Sequence, residues 1–119
     1  MNLPQGDSHG LENFIMSHLL KACYTWSDFG IGEFKLWYVR DREKREVDAL
    51  ITRDNKPWLL VEVKMNDLSV KKSLERFAGL LNCKKFVQVV GAENIYRQAK
   101  IGSQSFQLVS AGIFLKWLE

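Results

Sequence analysis

The sequence has few of the features that mark a secreted, metal-stapled or membrane protein. Its 119 residues include two cysteines, Cys23 and Cys83, with no Cys or His spacing typical of a zinc site. Both lie among apolar residues, so we expect buried free thiols and a cytoplasmic location. Residues 1–10 are polar and lack the apolar run of a signal peptide. No stretch reaches the ~20 apolar residues that cross a bilayer, so we expect no membrane partner.

The sequence also lacks a strong charge bias and a nucleotide-binding loop. A net charge of +3 and a pI of about 8.9 permit a nucleic-acid partner without requiring one. No glycine-rich loop ends in GK[ST], which excludes a recognisable ATP site. The length and the hydrophobic fraction of 46% fit one globular domain over residues 1–119.

Hydrophobic spacing predicts an α/β fold. After a loose leader over 1–7, apolar residues at helical spacing indicate a first helix at about 9–26, capped by Asp7 or Ser8. Further elements are expected in this order: strands at 36–40, 46–53 and 58–64, a helix capped by Ser69 with an apolar stripe from Val70 to Leu81, and a strand at 86–90. The weaker end fits a helical turn at 95–99, a strand at 105–109 and a closing helix at 112–118. Alternation in the second strand puts Val47, Ala49 and Ile51 on one face.

The second and third strands bring acidic and basic residues together. If 54–57 form the turn, residue numbers paired across this hairpin sum to about 110. Asp48 then lies opposite Glu62, Glu46 lies opposite Lys64, and all four side chains share one face.

Opposed carboxylates repel each other unless a cation lies between them. Mg²⁺ prefers carboxylate and water oxygens, and it can polarise a phosphoryl oxygen and activate a water. A lysine beside the carboxylates can offset charge on the phosphate. Asp48, Glu62 and Lys64 therefore supply the residue types for phosphodiester hydrolysis. Ordinary ion pairs on an exposed sheet face explain the same residues without chemistry.

Other charged residues have two interpretations each. Glu12 borders the apolar stripe of the first helix, where it fits either a fourth site carboxylate or a favourable charge near a helix N-terminus. Six basic side chains beside the hairpin or at the start of the second helix could hold phosphates: Arg40, Arg42, Lys44, Arg45, Lys71 and Lys72. A solvated surface is the alternative, and it is favoured for Lys84 and Lys85.

Asp48 followed by Glu62-Val63-Lys64 resembles the D…(D/E)xK motif of the PD-(D/E)XK nuclease superfamily. The likeness to the nuclease-like C-terminal domain of prokaryotic AAA-type ATPases is wider and covers about 10–118. Its further segments are Leu11-Glu12-Asn13-Phe14, Trp37-Tyr38-Val39-Arg40, Arg45-Glu46-Val47-Asp48 and Ser73-Leu74-Glu75-Arg76-Phe77. Archaeal Holliday-junction resolvases are more distant relatives. Val47 departs from the pattern, because it stands where the superfamily name has proline.

The resemblance implies a restriction-endonuclease-like α/β core, with a central mixed sheet flanked by helices. It implies Glu12, Asp48 and Glu62 as metal-site carboxylates, the Val63 carbonyl facing the metal, and Lys64 as the catalytic lysine. The expected function is a Mg²⁺- or Mn²⁺-dependent DNA endonuclease. The alternative is a catalytically inert DNA-binding or regulatory interaction module, as a free-standing domain or the tail of an ATPase. A homodimer and an ATPase domain are left open as partners.

Overall fold

Three helices cover a six-stranded sheet in the computed structural model, which describes residues 8–119. The elements in chain order are α1 (Ser8–Asp28), β1 (Phe34–Arg40), β2 (Glu46–Arg53), β3 (Lys56–Lys64), α2 (Lys72–Leu80), β4 (Lys85–Val90), β5 (Tyr96–Ile101), β6 (Gln104–Ser110) and α3 (Ala111–Trp117). The predicted leader over 1–7 and the predicted cap at Asp7 lie outside the described residues. Within 8–119, no helix combines the length and apolarity needed to span a bilayer.

The sheet is mixed, with strand order β1-β2-β3-β4-β6-β5. The three central strands β3, β4 and β6 run parallel, while β1, β2 and β5 pair antiparallel with their neighbours. Parallel neighbours need a crossover connection, and α2 supplies it between β3 and β4. The predicted α/β class, a central mixed sheet flanked by helices, is confirmed.

The core has two layers, one on each side of the sheet. Leu11, Ile15, Leu19 and Cys23 recur every four residues along α1, so one stripe of this helix is buried against the sheet. We call this side, which α3 also covers, the α1 face. The other side, the α2 face, packs α2 against buried side chains of β2, β3, β4 and β6.

Three local predictions are wrong. Ser69 does not cap α2: its hydroxyl lies 2.6 Å from Asp67 Oδ1, and the N-cap residue is Lys71, which makes no side-chain cap hydrogen bond. The predicted helical turn at 95–99 is instead part of β5, whose six residues are all exposed. An exposed edge strand carries no apolar alternation, so its sequence resembles a loop.

The third wrong prediction concerns alternation in β2. Ala49 and Ile51 pack on the α1 face as expected, but Val47 packs on the α2 face together with Leu50. An even alternation cannot place Val47 and Leu50 on the same side, so β2 contains an irregularity between them.

Candidate functional site

Asp48 lies at this irregularity, which is a β-bulge. The pairing of β1 with β2 shifts between Trp37 and Val39, so two residues of β2, one of them Asp48, lie opposite a single residue of β1. A bulge bends its strand and changes the direction of the side chain it carries. Asp48 Oδ2 consequently accepts a hydrogen bond of 2.7 Å from the N–H of Val63 on β3.

The predicted hairpin register is confirmed where β2 and β3 pair. Ala49 lies opposite Val61 and Leu50 opposite Leu60, so the numbers sum to 110. The ladder ends at Ala49. The next two residues, Asp48 and Glu62, therefore meet through their carboxyl groups rather than as a backbone pair.

Glu46 and Lys64 lie outside that ladder, although they were expected to oppose each other. Glu46 pairs with Arg40 on β1, and its carboxylate accepts a hydrogen bond from the Tyr38 hydroxyl. Hydrogen bonds from Ser69 lower the pKa of Asp67, and the nearby charge of Lys64 adds to this effect. Lys64 therefore has an acidic neighbour in the loop after β3.

Glu62 is the most deeply buried charged residue of the described chain, with 1% of its surface exposed. Its Oε2 lies 2.7 Å from the ammonium of Lys71. Apart from this ammonium, no donor in residues 8–119 reaches that oxygen. Its charge is thus compensated by an ion pair alone, which is costly for a buried group.

Burial dominates the protonation of this carboxyl pair. It raises the pKa of Glu62 to about 7, the neighbouring Asp48 carboxyl adds to the rise, and Lys71 opposes it. Burial also raises the pKa of Asp48, while its contacts with Glu62 and the Val63 N–H act in the other direction. Two such acids in contact share a proton near neutral pH.

A buried glutamine positions Lys71 over this pair. Gln88 on β4 is the parallel neighbour of Glu62 and is fully buried. Its Oε1 accepts a hydrogen bond of 3.0 Å from the N–H of Lys71, and its Nε2 donates to the carbonyls of Asp67 (3.1 Å) and Ser69 (2.7 Å). These three bonds fix the loop from β3 to α2, and with it the backbone that carries Lys71.

Lys71 is the cation of the site. Burial favours its neutral form, but the carboxylates of Glu62, Asp48 and Glu46 outweigh burial and raise its pKa. The sequence interpretation had placed this lysine among the phosphate-binding residues. It missed Gln88 as well, although a polar residue inside the apolar run of β4 was a signal.

Glu12 is near the pair without joining it. It is half-buried on α1, and its charge contributes to the raised pKa of Asp48. Among residues 8–119, no group of three or more His, Cys, Asp or Glu side chains is arranged to hold a metal ion. The Val63 carbonyl points toward β2, because the N–H and C=O of a strand residue point to the same side.

The predicted phosphate-binding residues differ in their availability. Arg45 forms ion pairs with Asp41 (2.7 Å) and Glu43 (2.8 Å), and Lys71 is engaged by Glu62. Four others are exposed and form no ion pair within the described chain: Arg40, Arg42, Lys44 and Lys72.

Residues 8–111 match the family described as "Domain of unknown function (DUF4143)". The chain belongs to this family. DUF4143 domains are found in ATPase-associated proteins. The match covers all six strands, α1 and α2, and therefore the whole carboxylate–lysine site of this DUF4143 domain. Among curated proteins, none matches the sequence.

Proposed function

We propose that this domain is a metal-dependent DNA endonuclease of the PD-(D/E)XK type, with Mg²⁺ or Mn²⁺ as its cofactor. The main support is the buried carboxylate of Glu62, which lies against Asp48 and whose Oε2 is reached, within residues 8–119, by the Lys71 ammonium alone. A fold without chemistry gains little from a buried acid in contact with a second carboxyl, since burial and the neighbouring Asp48 both raise the cost of ionising Glu62.

The donors suit a small, hard cation. Asp48 and Glu62 supply carboxylate oxygens, and Val63 supplies a backbone carbonyl on the same side of β3. Glu12 is the proposed third carboxylate, from α1. When bound, the ion would polarise a phosphoryl oxygen and lower the pKa of an attacking water.

The surrounding residues prepare this site for a phosphate. Asp48 and Glu62 must release their shared proton before they can bind a cation, so binding should strengthen above about pH 7. Lys71 keeps an ammonium beside the pair and can offset charge on the phosphate. We therefore propose Lys71 alongside Lys64 as a candidate for the lysine of the reaction.

Two observations favour the alternative, a catalytically inert DNA-binding or regulatory interaction module. Lys71 already compensates the Glu62 charge without a metal, and no group of three metal-ligating side chains forms within 8–119. Such a module would bind DNA with a strong dependence on salt and would not cleave it.

The test is calorimetric titration of Mn²⁺ at pH 8 into wild type, Glu62→Gln and the exposed control Glu93→Gln. The same samples are then incubated with branched and linear DNA. We expect saturable binding and metal-dependent cleavage in wild type and control, both lost in Glu62→Gln. Lys64→Ala and Lys71→Ala should keep the metal, and loss of cleavage identifies the lysine that the reaction needs. Binding without cleavage would favour the inert module, and no binding by wild type would refute the metal site.

A further inference from the structure

A basic hollow lies at the end of the sheet opposite the carboxylates. It has a volume of about 500 Å³ and is lined by Lys56, Pro57, Trp58, Leu81, Asn82, Lys84 and Lys85. A second hollow of about 310 Å³ shares Lys56, Pro57 and Trp58 with it. The two form one concave surface around the start of β3 and the start of β4. We call this surface the lysine hollow.

The charges of the lysine hollow are not neutralised within the protein. Lys56, Lys84 and Lys85 are exposed, and none forms an ion pair with an acidic group of residues 8–119. The one acid at the rim is Asp54, and its carboxylate accepts a hydrogen bond from the N–H of Glu33. Three unpaired cations around one concavity attract an anionic ligand.

An aromatic side chain forms part of the wall. Trp58 is half-buried and packs edge-on against Trp26 (5.7 Å) and Phe34 (5.2 Å), which hold its ring in place. The Lys85 ammonium lies 5.8 Å from the Trp58 ring centre. With Pro57 beside it, this wall offers a flat apolar surface next to positive charge.

These features identify the ligand chemistry. A flat apolar wall and adjacent lysines match a base and its phosphates, the combination by which proteins hold single-stranded nucleic acid. A membrane surface fits less well, because Trp58 is packed inward and cannot enter a bilayer. A phosphorylated peptide is more often held by the bidentate fork of arginine. The arginine at this surface, Arg53, already donates to the Ile31 carbonyl (2.8 Å) and lies over the Phe34 ring.

The hollow is separate from the carboxylate pair. Glu62 lies six positions after Lys56 on β3, which corresponds to about 20 Å along the strand. We propose that the lysine hollow binds a segment of single-stranded nucleic acid, whether or not the carboxylate end hydrolyses it.

The test measures binding of a fluorescently labelled 12-nucleotide oligothymidine by anisotropy, in buffer without divalent cations so that no cleavage occurs. Wild type is compared with the triple variant Lys56→Gln, Lys84→Gln, Lys85→Gln. The matched control changes three exposed lysines elsewhere to glutamine: Lys21, Lys100 and Lys116. Both variants lose three positive charges, so net charge is the same in each.

We expect the hollow variant to bind the oligonucleotide at least about tenfold more weakly. The slope of log affinity against log salt concentration should become shallower by about 2, as for three lost phosphate contacts. The control should stay within about threefold of wild type, as expected if only general electrostatic attraction is reduced. Equal losses in the two variants, or no binding by wild type, would overturn the proposal. So would full competition by thymidine monophosphate at the same affinity, because the ligand would then be a free nucleotide. Hollow-dependent binding in this buffer, with no cleavage once Mn²⁺ is added, would leave this proposal intact and count against the nuclease.

Discussion

Replacing Glu62 with glutamine should flatten the pH dependence of stability. In the folded protein the pKa of Glu62 is about 7, against an ordinary value of 4.5 in the unfolded chain. Between these values the folded state keeps a proton that the unfolded chain has released. The free energy of unfolding must therefore fall as pH rises through this window.

The size of the effect follows from the shift in pKa. A rise in the pKa from 4.5 to about 7, at about 1.4 kcal/mol per pH unit, gives a loss of about 3 kcal/mol over the whole window. Most of this loss falls between pH 5 and pH 8, where the protein can be handled. Glutamine keeps the shape of the side chain and cannot ionise, so the variant should lose this contribution.

The assay is urea unfolding followed by circular dichroism at pH 5 and pH 8, on wild type, Glu62→Gln and Glu93→Gln. Wild type and the Glu93 control should both be more stable at pH 5, and Glu62→Gln should show a much smaller difference. An unchanged slope in Glu62→Gln, or a wild type more stable at pH 8, would refute the reasoning.

Three further predictions concern the surroundings of the pair. Lys71→Met leaves the buried Glu62 carboxylate without its cation, so urea unfolding should show a loss of about 1–3 kcal/mol at pH 8 and less at pH 5; equal losses would contradict this. Gln88→Leu removes three hydrogen bonds and should cost about 1–3 kcal/mol, with faster amide exchange at Lys71, whereas unchanged exchange would mean that the loop is held by other contacts. Gly91→Ala would place a Cβ 2.6 Å from the sulfur and 2.9 Å from the carbonyl oxygen of a neighbouring methionine, so unfolding should show a loss of about 1–3 kcal/mol. The control is Gly79→Ala on helix α2, where the added Cβ meets open space, and the protein should become more stable by about 0.5–1 kcal/mol. Similar effects of the two substitutions would argue against the close contact at Gly91.

The hairpin at the centre of the site could be predicted because it is local. The turn residues at 54–57 and the alternation on both sides of them predicted where β2 begins and ends. They also predicted the pairing register of β2 with β3, which the structure confirms at Ala49 and Leu50. The contact of Asp48 with Glu62 follows from that register. The bulge could not be foreseen, because an extra residue in a strand leaves the local composition unchanged.

The remaining site residues depend on contacts between distant segments. Lys71 meets Glu62 at the end of a loop that is held by Gln88, seventeen residues further along. Helical or strand periodicity describes a single element, so it cannot show which loop lies over which strand. The motif identified Lys64 by its spacing from Asp48. No motif spacing includes Lys71, so the sequence did not identify Lys71 as part of the carboxylate site.

Strand β5 shows how a segment outside the core can still protect the protein. It pairs along β6, from Tyr96 to Ile101, and all six of its side chains are exposed. Without it, the outermost strand would be β6, which carries the buried apolar residues Phe106, Leu108 and Val109 and would offer unpaired backbone groups to other molecules. Arg97 and Lys100 on β5 place positive charge at the new edge, so a second copy pairing there would bring like charges together. The most exposed strand of the sheet thereby guards the chain against aggregation.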